Sequence, residues 1–244
     1  MSQENKELGA EPQDGTESSR GPSPGPSPGM NILIFGASGT AGGAVLQACL
    51  NASLVQETRA IVRKPLGQTD TKLWELRHED FLDFRSIAES FRKLDACLFC
   101  LGISVTQVSS EDYFKITHDY AIAAASMLHA ESPGAAFHYI SGAGTRADSR
   151  TFWSKVKGQT ENELMELAGA VCWRPAYIDA KPSASLPAVF AALRPALRLL
   201  KPFRSLYVSG EDLGRAMLQA TRENLRRRVI ENAEIRELAG RFGE

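Results

Sequence analysis

Residues 31–43 read NILIFGASGTAGG, and their order decides the fold. A short run that is apolar throughout, with no alternation, belongs to a strand buried on both faces. Gly36, Gly39 and Gly42 then fall three apart, where that strand turns into a helix. Glycines there let the backbone approach a pyrophosphate with no side chain in the way. The helix start adds N–H groups without intrahelical partners and the positive end of a dipole. Ser38 and Thr40 bring hydroxyl donors, and Ala41 completes the stretch. Glycine-rich turns often serve packing alone, but a place after the first strand and before a helix favours dinucleotide binding. No Gly-Lys-Ser/Thr follows, which argues against a nucleoside-triphosphate loop.

Outward from this stretch, short apolar runs alternate with helical ones. RAIVRK (59–64), LWELRHEDF (73–81), DACLFCLG (95–102), AAFHYISG (135–142) and AVCWRP (170–175) read as strands. DFRSIAESFRKL (83–94), EDYFKITHDYAIAAASMLHA (111–130), TFWSKVKGQTENELMELAG (151–169) and EDLGRAMLQATREN (211–224) read as helices, the last capped by Ser209 and Asp212. RRVIE and a helix starting near Asn232 close the chain. Such alternation means right-handed crossovers and an α/β fold, a doubly wound parallel sheet in one domain over residues 30–244. A Pro-punctuated insertion spans about 178–208, and its SLPAVFAALRPALRLLKPF (185–203) interleaves apolar residues with Arg194, Arg198 and Lys201. It reads as a lid over a substrate pocket in preference to a packed helix or a membrane-surface helix. Residues 1–29, ending in a Gly-Pro-Ser repeat, have almost no large apolar side chain and read as a disordered tail.

Bulk properties narrow the function. A net charge of −1 over 244 residues gives no electrostatic reason to expect nucleic acid. No apolar run is long enough to span a membrane, and no secretory signal opens the chain, so a cytoplasmic setting is expected. The four cysteines (Cys49, Cys97, Cys100, Cys172) sit inside apolar runs and read as packed thiols. Cys97 and Cys100, three apart in a strand, point to opposite faces, and without a second ligand pair no metal site is expected.

The strand after the glycines ends in Arg63 and Lys64, with Arg59 at its start. An acidic residue at that end would grip a ribose 2′-hydroxyl, whereas arginine suits a 2′-phosphate, so NADP(H) is favoured over NAD(H). Asp80 and Phe81 near the end of the third strand, and Cys100, Leu101 and Gly102 at the end of the fourth, fall on the same carboxyl rim, where ligands bind.

GASGTAGG, RAIVRKP, the strand running into Ser141, the SKVKG helix, WRPAYI and the closing RRVIENAEIRELA together resemble the atypical short-chain dehydrogenases/reductases, which are of Rossmann type. The nearest likeness is to the Tat-interactive-protein-like branch and to bacterial epimerase/dehydratase-like proteins. The resemblance covers nearly all of residues 30–244. It implies an oxidoreductase acting on a small carbonyl or alcohol, with a serine that polarises the carbonyl, a tyrosine that passes the proton and a lysine that lowers the tyrosine pKa and holds the cofactor ribose beside the nicotinamide. On this chain the serine is Ser141 and the lysine Lys157, and the exit at Pro175 joins the cofactor contacts. The tyrosine position is Trp153, whose indole N–H donates a hydrogen bond but does not shuttle a proton. Tyr120 and Tyr177 are the alternative proton donors, and His118 lies near Tyr120. A dinucleotide-binding regulator that signals through a protein partner is the competing class.

Overall fold

A computed structural model describes residues 29–181 and 195–243. The expected tail over 1–29, apart from Gly29, and the middle of the 178–208 insertion fall outside the described residues.

β1 (Met30–Phe35) shows why the opening run is apolar on every residue. Ile32 and Ile34 enter one core and Leu33 and Phe35 another, and none of the four has any exposed surface. Each such side chain contributes roughly 1.5–3 kcal/mol on burial. β2 (Val55–Val62), β3 (Leu73–Arg77), β4 (Ala96–Phe99), β5 (Ala136–Ile140), β6 (Val171–Arg174) and β9 (Arg228–Glu231) join β1 in one parallel sheet. Its order is β3-β2-β1-β4-β5-β6-β9, so the winding reverses between β1 and β4. At such a switch point a crevice opens outside the carboxyl ends of the strands.

The two cores lie on opposite faces. α1 (Thr40–Asn51), α5 (Gly210–Arg222) and α6 (Asn232–Arg241) cover the Ile32 face; α3 (Tyr120–Glu131) and α4 (Phe152–Ala168) cover the Phe35 face. Cys100 packs in the first core and Cys97 in the second, the separation expected from strand alternation, and all four cysteines are free. Ser209 caps α5 by accepting from Asp212 N–H.

Two expected helices differ. Residues 85–91 form tight 3-10 turns broken at Ile87 (φ −124°, ψ 22°), because Asp83 accepts from Arg85 N–H while Phe84 and Phe91 are drawn into the core. The helix from Ser110 is interrupted: α2 (Ser110–Phe114) passes through a wide π turn at Lys115–Asp119 before α3. Of the insertion, the described residues show β7 (Tyr177–Asp179) paired in parallel with β8 (Tyr207–Ser209). Buried Asn232 ties this pair to the body, accepting from Ala176 N–H and donating to the carbonyls of Arg204 and Tyr207.

The β5–β6 half carries polar groups in its core. Trp173 Nε1–H donates to His138 Nδ1 (3.1 Å), which leaves the ring proton on Nε2 to meet Thr221 Oγ1 (3.0 Å), whose hydroxyl donates to Met217 O. Burial drives the His138 pKa down to about 3, with Arg226 adding to the effect.

Candidate functional site

A cleft of about 870 Å³ opens at the switch point. Gly36, Ser38 and Gly39 line it, with Arg63 and Lys64 from the end of β2 and Cys100, Leu101 and Gly102 from the end of β4. Gly36 has φ +74°, and a Cβ on it would stand 2.7 Å from the Cys100 carbonyl, so the β1 and β4 exits meet only because this residue is glycine. Gly42 faces inward: a Cβ there would lie 2.1 Å from the Gly36 oxygen. It sets the helix against the strand, while Thr40 and Ala41 complete the first turn of α1. Burial raises the Cys100 thiol pKa far above its ordinary value, so the thiol stays protonated on the cleft wall.

The outer corner of the cleft is basic. Arg63 and Lys64 are exposed, and no ion pair engages either among the described residues. Arg77, the register partner of Val62, joins them and pairs with Glu79 at 2.9 Å. Sequence reading missed Arg77 because its place beside Arg63 follows from β2–β3 register, not from chain distance. Arg59 is elsewhere: it pairs with Glu57 and donates to the carbonyls of Ser90 and Arg92. Phe81 lines the cleft, backed by Phe35, Phe84 and the Tyr120 ring at 5.4 Å. Asp80 does not line it; its carboxylate accepts from Leu82 N–H and holds the local turn.

A second cluster forms at the exits of β5 and β6. Lys157 on α4 donates to the Ser141 carbonyl at 2.5 Å and reaches the Ile140 carbonyl at 3.4 Å. Desolvation lowers its pKa to about 8, opposed by the Glu161 carboxylate one turn along. Glu161, almost wholly buried, takes a two-pronged bond from Arg174 (3.0 and 2.6 Å), and Arg174 reaches Glu231 at 2.9 Å. Ser141 N–H donates to Trp173 O, and Ala143 N–H donates to Pro175 O, so the WRP exit laces the loop after β5. The Ser141 hydroxyl lies 2.9 Å from the buried Thr145 hydroxyl, a partner with no sequence signal beyond its nearness in GAGT.

Trp153 is half-buried on the first turn of α4, its indole facing Gly144. Ser154, the next residue, donates to Gly144 O and accepts from Arg146 N–H, and Gly158 admits the loop so closely that a Cβ would sit 2.2 Å from Ala147 N. Ser141, Lys157 and Pro175 therefore come together, with Trp153 across the same loop, but none of the four lines the 870 Å³ cleft. Of the other tyrosine candidates, Tyr120 packs on Phe81, and Tyr177 lies in β7 with its ring 6.0 Å from that of Tyr207. His118 bridges Asp119 and Glu163 on the outer side of α4. Among the described residues no group of three or more His, Cys, Asp or Glu could hold a metal, and no helix is long and apolar enough to cross a membrane.

No family model matches the chain. Over 141 residues it is 26% identical to Protein HTATIP2 of Rattus norvegicus, covering 56% of this chain and 57% of that protein. It is 24% identical to Protein FMP52, mitochondrial, of Eremothecium gossypii, covering 57% and 61%. The chain thus spans less than two thirds of the length of these curated relatives. In fold it is similar to a short-chain dehydrogenase/reductase family oxidoreductase from Burkholderia thailandensis (TM-score 0.64, 14% identity, 86% of this chain and 94% of that one). It is also similar to UDP-glucuronic acid 4-epimerase from Bacillus cereus in complex with NAD (TM-score 0.60, 15% identity, 82% and 77%). The chain thus shares a Rossmann-type parallel sheet with these solved structures and is similar in sequence, over 141 residues, to Protein HTATIP2.

Proposed function

We propose that the chain is an NADP(H)-dependent oxidoreductase acting on a small carbonyl or alcohol. The observation that carries this reading is the convergence of Lys157 and Ser141 at the β5 exit, on the same carboxyl rim as the glycine cradle. The dinucleotide fits the residues present: Gly36 and Gly39 leave room for a pyrophosphate, Ser38 and the start of α1 offer donors, and Arg63 and Lys64 meet a 2′-phosphate. Phe81 and the Cys100–Gly102 stretch would flank the rest of the nucleotide, with Asp80 acting only through the turn it holds. When bound, the cofactor supplies or accepts the hydride. Ser141 would polarise the substrate oxygen, while Lys157 and Pro175 fix the loop that presents it.

A second reading is favoured by Trp153, which puts an indole where a phenol would manage the proton. In that case the chain binds the dinucleotide as a regulator and acts through a protein partner. Calorimetric titration with NADPH and NADH tests the shared premise: micromolar NADPH binding, weakened by Arg63→Ala, is expected, and no binding of either nucleotide overturns both readings. Trp153→Tyr separates them. A gain in carbonyl turnover at unchanged NADPH affinity supports a reductase site short of its acid, and no turnover in either form supports the regulator.

A further inference from the structure

Ser141 is gripped at every polar atom but one proton. Its N–H donates to Trp173 O at 2.7 Å, its carbonyl takes Lys157 Nζ at 2.5 Å, and its hydroxyl meets Thr145 Oγ1 at 2.9 Å. A hydroxyl pair has two protons and can spend only one on the bond between them. Thr145 is 1% exposed, and its hydroxyl has no other partner among the described residues. Both hydroxyls are buried and either can donate in this bond, but Ser141, at 6% exposure, is the less enclosed of the two. In the orientation where Thr145 donates, the Ser141 proton is not spent on Thr145.

Three contacts fix Thr145 where it stands. Its N–H donates to Gly142 O at 3.2 Å. Ser154 holds the residues on either side, Gly144 and Arg146. Gly158 lets the 146–147 backbone lie directly on α4. The Ser and Gly of SKVKG thus act on the loop that carries Thr145.

Resting on the oxidoreductase reading, we propose that Thr145 is a positioning residue: its hydroxyl donates to Ser141 Oγ and directs the Ser141 proton toward the oxygen of a carbonyl substrate. With an indole at position 153, the orientation of this one hydroxyl carries the polarisation that a phenol would otherwise share.

The test has two arms on the full-length chain. Hydroxyl-proton exchange is followed by NMR with labelled serine and threonine. The Thr145 hydroxyl proton should exchange slowly, and at least tenfold faster in Ser141→Ala. A fast Thr145 proton, or a slow Ser141 proton in its stead, overturns the assignment whether or not the protein is an enzyme. NADPH oxidation is then measured over a panel of small aldehydes and ketones. Thr145→Val should lower kcat by about ten- to a hundredfold, the scale of a misplaced reacting group, with the NADPH Kd within about twofold. Thr145→Ser should recover most of the rate. Equal losses in the Val and Ser variants, or a matching loss of NADPH affinity, reduce Thr145 to a loop-packing role and overturn the proposal. If the wild type reduces no carbonyl, the oxidoreductase reading fails, and the exchange arm alone decides the hydroxyl pair.

Discussion

The two halves of the sheet are built on different foundations. Under the glycine cradle, β1, β2 and β4 bury aliphatic and aromatic side chains, with Thr58 the buried polar exception in these strands. Under the Ser141 loop, β5 and β6 rest on paired polar groups: Trp173–His138–Thr221, Glu161–Arg174–Glu231, and Asn232 on three backbone groups. Apolar packing tolerates changes of volume-conserving kind and is indifferent to pH. Buried polar networks hold atoms in fixed places but fail sharply when one member is lost. On the proposed function, a cradle would need only an open backbone and a reacting hydroxyl would need orientation, which is the division the two foundations provide.

The largest effect expected is from Arg174→Ala. It leaves the Glu161 carboxylate buried without its guanidinium, which costs about 3–5 kcal/mol. Urea unfolding measures it. A loss below about 1 kcal/mol would mean that water or another cation reaches Glu161, and that the second foundation is less dry than its burial indicates.

Acid should come next and strike the same half. The His138 pKa stands at about 3 in the fold against 6.5 in the open chain, so the unfolded state binds the extra proton between those values. The stability from neutral His138 is complete above pH 6.5 and declines as pH falls toward 3. Down to pH 5, before most carboxylates titrate, the decline is about 2 kcal/mol. His138→Leu should start lower at pH 7, since Trp173 Nε1–H loses its acceptor, but lose this portion of the pH slope. Parallel slopes for the two proteins would remove His138 from the account.

Gly158→Ala should follow, at about 1–3 kcal/mol of overpacking, because its Cβ meets backbone at 2.2 Å. Differential scanning calorimetry would report the loss. Carbonyl turnover should fall further than stability predicts, since Ser154 and Thr145 ride on the displaced loop. This glycine marks the limit of what the sequence shows. The cradle is legible because its glycines lie close together in the chain at one spacing, and β1 is legible because both of its faces are buried. Ser141 and Lys157 were found through a resemblance, and the residues that hold them were not. Thr145, Glu161 and Arg174 each look like an ordinary loop or surface residue until β5, α4 and β6 are set side by side. Asp80 shows the converse: near the end of the third strand, it spends its carboxylate on its own turn.

The smallest effect expected lies in the cradle half. Arg77 stands beside Arg63 and Lys64, and its ion pair with Glu79 is largely exposed, so Arg77→Ala should barely move the unfolding midpoint. If this corner reads a 2′-phosphate, the variant should weaken NADPH several-fold while leaving NADH unchanged, and the gap should narrow with added salt. Equal weakening of both nucleotides would point instead to a contact with adenine or pyrophosphate, because only the 2′-phosphate differs between them. Arg63→Ala and Arg77→Ala combined in one chain sharpen the result. Residues gripping one phosphate should not act additively, since each removal lets the remaining cation shift toward the charge.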